Sequence, residues 1–238
     1  MYCHDNPINI IDPDGRGDYY VDKKWAGTDG HKDDFAYTAS RVTKDENGFV
    51  TGAEDQNKLK FKNSELVKLA AVAYSESDAK SNNKEEQFGI ASASMNNYDV
   101  RTEKEKIDLS SVLSEISCAT YDGNENYQKF NETSSKNRND NAKMATSTAA
   151  AINAIIGGVD YSNGATGWDG RDLKTNSHRF GLNISDPKHD IFKVGDRPYK
   201  NPSKHNNSSY SRQTTAAYGK TVFERLHPKF IKGGGRKW

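Results

Sequence analysis

The chain has 238 residues, of which 33% are hydrophobic, and its 34 basic and 33 acidic residues leave a net charge of +1. This length is enough for one domain with a sizeable core, and the near-neutral charge argues against a protein dominated by nucleic-acid binding. The two cysteines, Cys3 and Cys118, are too few for a disulfide framework. No apolar run approaches the roughly 18 residues of a membrane span, so we expect no membrane insertion.

The first 17 residues, MYCHDNPINIIDPDGRG, place turn signals on both sides of the short apolar piece 8–11. Read physically, they predict a turn-bounded strand or an ordinary loop, and they lack the pattern of a signal peptide. The segment NPINIIDPDGR resembles the end of the core of Rhs (YD-repeat) proteins. That resemblance implies that 1–17 is a core remnant and that a variable toxin follows. The Rhs core and a secretion apparatus, such as the type VI system, would carry this toxin, and a cognate immunity protein would bind it.

Residues 18–60 have no helical period and alternate aromatic with polar side chains. The Asn47-Gly48 pair between Val42 and the apolar pair 49–50 is a hairpin signal. We therefore predict a lead segment of two or more short strands and loops over 18–60.

Residues 64–97 predict two helices separated by a polar loop over 78–84. Asn63 or Ser64 can cap the first helix, which ends at Glu76. Glu76 lies near the core-facing stripe, so we expect it to project from the helix end into a cleft walled partly by the second helix. The core-facing positions are Leu66, Leu69, Ala70 and Ala73 in the first helix, and Phe88, Ala91, Ser92 and Met95 in the second.

The motifs VAYSES, IASASMNN and NGAT, with the alanine-rich run between the last two, resemble the cell wall hydrolase family of spore-cortex-lytic enzymes. These are lysozyme-like muramidases and lytic transglycosylases, and the resemblance covers about residues 60–172. Glu76 matches the family glutamate and Asn96 the asparagine of its Asn-Arg pair, whereas Asn97 stands where arginine is usual. The family often has a second acidic residue soon after the first, in an E-x-x-G-E pattern, but this chain does not follow the pattern and has Ser-Asp-Ala at 77–79. The resemblance implies a mainly α, lysozyme-like domain over 61–232, with the β-rich lead before it and a loop-rich C-terminal part.

Three further helices are predicted from apolar spacing. They cover 109–117, 138–156 and 212–225, and the second ends at Gly157-Gly158. The helix over 138–156 is rich in alanine, so we expect it to pack at the centre of the core. The chain from 175 to the last predicted helix is interpreted as mostly loop.

Cleavage of a glycosidic bond requires a carboxylic acid that protonates the leaving oxygen. Glu76 follows an apolar segment, and burial of a carboxyl group beside apolar side chains disfavours its charged form, as this role requires. A hydrolase would add a second carboxylate, for which Asp169 and Asp172 are candidates. The resembling transglycosylases use one glutamate, and the missing partner favours that reaction. A glutamate merely exposed at a helix end is the structural alternative, and neither reaction requires a metal or organic cofactor.

Substrate contacts are assigned by the resemblance and by residue chemistry. The segment 118–132 would line the glycan groove, where aromatic rings stack on sugar faces, or else its rings would pin the segment to the core. Trp168, which lies between glycines, would likewise stack on a ligand or cover an edge of the core. The predicted substrate-binding residues are Asn96, Tyr127, Phe130, Gly164, Ala165, Trp168 and Asp169.

These observations together predict an antibacterial effector toxin that cleaves the glycan strand of peptidoglycan. It would be cytoplasmic in the producing cell before export and would act in the periplasm of the target. One alternative is a metal-dependent nuclease toxin using His178 or His189, although no H-E-x-x-H or CxxC spacing is present. The other is a glycan-binding module without catalysis.

Overall fold

The computed structural model describes residues 16–121, 123–170, 178–179, 182–183 and 212–234. Within these segments the protein is a mixed α/β structure, so the predicted mainly α fold is wrong. The strands are β1 (Arg16–Val21), β2 (Lys24–Lys32), β3 (Phe35–Ala39), β4 (Arg41–Lys44), β5 (Val50–Glu54), β6 (Asn57–Lys62), β7 (Gly167–Gly170), β8 (His178–Arg179), β9 (Leu182–Asn183), β10 (Arg212–Tyr218) and β11 (Thr221–Leu226). The helices are α1 (Asn63–Glu76), α2 (Lys84–Thr102), α3 (Leu109–Ile116), α4 (Glu125–Glu132), α5 (Ser135–Asp140), α6 (Ala142–Ile155) and α7 (Pro228–Lys232).

The N-terminal strands form a four-stranded sheet in the order β2-β1-β3-β6, with β1 parallel to β3. Side chains alternate along β6, where Leu59 and Phe61 are buried against the helices and the intervening lysines are exposed. The predicted hairpin is confirmed as β4 and β5, and Gly48 supplies the positive φ of +85° in its connection.

Hydrogen bonds join this sheet to the start of α1. Tyr20 Oη donates to Asn63 Oδ1 at 2.8 Å, and Asn63 Nδ2 donates to Asp18 Oδ2 at 2.5 Å. The N-cap of α1 is Lys62 and not Asn63 or Ser64 as predicted, and the backbone N–H of Ser64 donates to Asp34 Oδ1, between β2 and β3, at 2.8 Å. The lead segment and the helices therefore share one core across the predicted boundary at residue 60.

Helices α1, α2 and α6 pack against one another at the centre of the molecule. The two helices predicted within 64–97 and the one over 109–117 are confirmed, although α2 begins at Lys84, inside the predicted loop, and continues to Thr102. The helix predicted over 138–156 is divided at Asn141, whose side chain caps α6. Ile156 is 50% exposed because it directly follows the last residue of α6. In the described part of the chain, no helix is both long and apolar enough to cross a membrane.

The helix predicted over 212–225 is wrong, because this segment forms the hairpin β10–β11. β-branched residues at 214, 215, 221 and 222 favour strands, and Gly219 adopts a φ of +54° in the tight turn. β7 pairs with the other edge of β11, which gives a three-stranded sheet in the order β10-β11-β7. This sheet packs on α2 through Phe223, which is fully buried against Gly89.

The contact between Gly89 and Phe223 gives a stability prediction. A Cβ atom at Gly89 would lie 2.5 Å from Phe223 Cζ, so Gly89→Val forces the sheet and α2 apart. We expect this variant to lower the free energy of unfolding by about 1–3 kcal/mol in chemical denaturation. Gly52→Val is the matched control, because a Cβ at Gly52 meets nothing closer than 3.9 Å. Equal stability of the two variants would contradict this packing.

Candidate active site

Glu76 is the last residue of α1, and two donors from the turn after α3 hold its carboxylate. Ser117 Oγ donates to Glu76 Oε1 at 2.6 Å, and the backbone N–H of Ala119 donates to the same oxygen at 3.0 Å. Oε2 accepts no hydrogen bond from any residue in the described segments. Glu76 is half-buried, so its carboxylate is fixed through one oxygen and available through the other.

Local backbone geometry places Glu76 at this helix end. Ser77 leaves the helix with extended angles, φ −76° and ψ 157°, and its Oγ donates to the carbonyl oxygen of Tyr74 at 3.1 Å. The turn that donates hydrogen bonds to Glu76 contains a 3-10 helix over Cys118–Thr120. The Ser117 hydroxyl caps this helix by accepting from the Ala119 N–H at 3.1 Å. The predicted position of Glu76 at the end of the first helix is confirmed.

The loop between α1 and α2, residues 77–83, is bound to both α2 and α6. Gln87 Nε2 donates to Asn82 Oδ1 at 2.9 Å, and Ser147 Oγ donates to Gln87 Oε1 at 2.5 Å. Gln87 and Ser147 are both fully buried. Hydrogen bonds between side chains therefore connect the loop that follows Glu76 to buried residues of α2 and α6.

Glu86, in the first turn of α2, is fully buried and joins this loop to the C-terminal hairpin. Its Oε2 accepts from the backbone N–H of Asp78 at 3.2 Å. Its Oε1 accepts from the backbone N–H of Lys220 at 3.0 Å and from Thr221 Oγ1 at 2.9 Å. Sequence inspection missed Glu86, because a glutamate in the first turn of a helix is an ordinary pattern.

Two charged side chains lie beside this network. The backbone N–H of Lys80 and the ammonium of Lys220, 3.3 Å from Asp78 Oδ1, hold the pKa of Asp78 below its usual range. Lys143 is half-buried near the start of α6, and its Nζ donates to the Ser77 carbonyl oxygen at 3.4 Å. Burial lowers the pKa of Lys143 against the opposing effect of Glu86 and Asp78. Neither Asp78 nor Lys143 was among the residues predicted from the sequence.

Asn96 lies roughly 18 Å along the axis of α2 from its first turn, at 1.5 Å per residue, and so at the end away from Glu76. Its Nδ2 donates to the Ala165 carbonyl oxygen at 2.9 Å, to Ser162 Oγ at 3.2 Å and to Asp160 Oδ2 at 3.1 Å. Ala165 is fully buried, and the Gly164 N–H donates to Asp160 Oδ2 at 2.7 Å. These hydrogen bonds hold the loop that contains Gly164 and Ala165 against α2. The structure does not bring Asn96 or this loop together with Glu76.

The aromatic residues predicted to contact the sugar are also shielded from solvent. Tyr127 and Phe130 are 2% and 0% exposed in the helix α4, so these rings hold the segment to the core, as in the second of the two predicted alternatives. Phe130 packs on Tyr74 with ring centroids 5.4 Å apart, so neither predicted ring offers a free face for a sugar. Trp168 and Asp169 are half-buried in β7, where Trp168 packs against the core.

Several predicted residues fall outside the description. Asp172, His189 and Cys3 lie outside the described residues, and His178 begins the short strand β8.

Across the described segments, no group of three or more His, Cys, Asp and Glu residues is arranged to hold a metal ion. A cavity with room for about one water molecule lies between the N-terminal sheet and α1, and Glu76 does not line it.

Removal of the Glu86 carboxylate tests the network. Glu86→Ala leaves the backbone N–H groups of Asp78 and Lys220 and the hydroxyl of Thr221 without their acceptor. We expect a loss of about 2–4 kcal/mol in the free energy of unfolding, because buried unpaired donors are costly. Glu85→Ala, at the exposed neighbouring position, should cost less than about 1 kcal/mol. Similar losses in the two variants, measured by urea denaturation, would show that Glu86 does not have this linking role.

Comparison with known proteins adds no assignment to this geometry. No protein-family model, curated protein or solved structure matches the chain. The resemblances to the cell wall hydrolase family and to Rhs proteins therefore stay predictions that rest on the motifs in the sequence.

Proposed function

We propose that the protein is an antibacterial toxin that cleaves the glycan strand of peptidoglycan, with Glu76 as the general acid and base. The observation that carries the proposal is the environment of this carboxylate. It lies at a helix end with one oxygen held by Ser117 and Ala119 and with Oε2 unpartnered among the described residues. An oriented carboxyl group with one available oxygen is what proton transfer to a glycosidic oxygen requires.

The proposed reaction uses the two oxygens of Glu76 differently. Oε1 stays fixed by its two donors, while the protonated Oε2 gives its proton to the glycosidic oxygen as the bond to the anomeric carbon breaks. The resulting carboxylate then takes a proton from the attacking hydroxyl group. If that hydroxyl is the muramoyl 6-hydroxyl the reaction is transglycosylation, and if it is water the reaction is hydrolysis.

The polar surroundings support the same assignment. The loop over 77–83, which directly follows Glu76, is held by Glu86 and Gln87 from α2, so the carboxylate is attached to a well-anchored support. Catalytic groups work best when packing and surrounding hydrogen bonds restrict their motion. Asp78, whose pKa is lowered, is the nearest acidic residue along the chain, and it adds to Asp169 as a candidate base for the hydrolytic route.

Delivery to the target periplasm is part of the proposal and rests on the Rhs-like segment over 6–16. An Rhs core and a secretion apparatus would carry the toxin, and a cognate immunity protein would protect the producer by covering the region around Glu76.

Release of soluble glycan fragments from purified sacculi tests the proposed function. We expect Glu76→Gln to reduce the release rate by about 10²–10⁴-fold, because the amide cannot exchange a proton with the glycosidic oxygen. Glu85→Gln makes the same chemical change at an exposed position of the α2 start and should retain full activity. Thermal unfolding of both variants should match that of the wild type.

Three outcomes would contradict the proposal. Sacculi that bind the protein without any release of fragments would indicate a glycan-binding module. Equal release by the wild type and Glu76→Gln would remove Glu76 from the chemistry. Toxicity confined to expression in the cytoplasm, without effect after export to the periplasm, would favour a nuclease toxin.

A further inference from the structure

Lys143 has an environment that folding alone does not explain. The residue is half-buried, yet its ammonium group makes no ion pair with a carboxylate in the described segments. An ammonium has three N–H donors, and here one contact is a long 3.4 Å hydrogen bond to the Ser77 carbonyl oxygen. The Nζ also lies 4.6 Å from the centroid of the Tyr74 ring, a cation–π contact.

The nearby acids already have other donors. Glu86 accepts hydrogen bonds from Asp78, Lys220 and Thr221, and the Asp78 carboxylate accepts from Lys220. Lys143 therefore attracts these two carboxylates through its charge, without a hydrogen bond or an ion pair to either of them.

The position of Lys143 in α6 also costs stability. It is in the first turn of the helix, where the backbone dipole is positive and disfavours a cation. Burial of its side chain penalises the charged form as well, which is why its pKa is lowered. Unfavourable placements of charge that persist in a folded protein are concentrated at functional sites.

We propose that Lys143 binds a carboxylate of the glycan substrate beside Glu76. The Ser77 carbonyl that it contacts belongs to the residue directly after Glu76, so a sugar placed at Glu76 lies within reach of the ammonium. Peptidoglycan offers carboxylates from two sources, the lactyl group of peptide-free muramic acid and the attached peptide. Chitin-type glycans offer neither, so Lys143 would select for peptidoglycan. This inference rests on the proposed function.

Binding measurements without turnover test the inference. Isothermal titration calorimetry would compare Glu76→Gln with the double variant Glu76→Gln/Lys143→Gln. The three probes are a peptide-free glycan tetrasaccharide with lactyl carboxylates, the same tetrasaccharide carrying peptides, and chitotetraose. We expect Lys143→Gln to weaken binding of a carboxylate-bearing probe about tenfold or more and to leave chitotetraose unchanged. The probe whose affinity falls identifies which carboxylate Lys143 binds, that of the lactyl group or that of the peptide.

Two further variants make the result specific. Lys143→Arg keeps the positive charge and should retain the preference for carboxylate-bearing probes, which separates charge recognition from a change in folding. Lys129→Gln removes an exposed lysine of α4 and should bind all three probes like the parent.

The outcomes separate this inference from the proposed function. Equal weakening of all three probes, no weakening of any, or the absence of binding to any probe would overturn the role of Lys143. If the wild type releases fragments through Glu76 but Lys143→Gln binds normally, the function holds and the inference fails. If carboxylate binding depends on Lys143 but sacculi are not cleaved, the inference holds and the proposed enzymatic function fails.

Discussion

The burial of one carboxylate, that of Glu86, constrains the whole region around Glu76. A fully buried charge is tolerated only when hydrogen bonds replace its lost hydration. The donors come from Asp78, Lys220 and Thr221, so one side chain in α2 fixes the loop after α1 and the turn between β10 and β11. That turn passes so close that a Cβ at Gly219 would lie 2.7 Å from the Glu86 carboxylate. The C-terminal hairpin is consequently part of the same structural unit as the candidate site, although it is more than a hundred residues away in the chain.

For the proposed role of Glu76, this constraint supplies the rigidity that a carboxylate at a helix end would otherwise lack. A helix terminus alone would leave Glu76 mobile, because its side chain is long and only half-buried. Here the turn after α3 fixes one carboxylate oxygen, and the network around Glu86 fixes the chain that follows it. The arrangement is of the kind that orients a proton donor before the substrate binds, with the positive charge of Lys143 nearby for an anionic ligand.

Local patterns in the sequence predicted the elements whose structure is decided locally. The apolar period of α1 and α2 and the Asn47-Gly48 turn were sufficient for two helices and a hairpin. The helix predicted over 212–225 is wrong because the apolar residues of this segment fit both a helical and a strand period, and pairing with the distant strand β7 decides between them. The burial of Tyr127 and Phe130 and the linking role of Glu86 also depend on contacts between remote segments. Spacing along the chain carries no information on such contacts. The residues predicted to bind the sugar therefore lie in different parts of the structure, whereas Glu76 lies at a helix end as predicted.

The central claim of the proposed function is that a glycan strand binds at Glu76, at the end of α1 and close to the turn after α3 and the β10–β11 turn. Amide chemical-shift mapping of isotope-labelled Glu76→Gln protein with the peptide-free glycan tetrasaccharide tests it most directly. The account predicts that the largest shifts cluster at the backbone amides of Asp78, Ala119 and Lys220. Shifts concentrated instead around Asn96 and the loop over 160–165, or on the outer face of the four-stranded sheet, would contradict it.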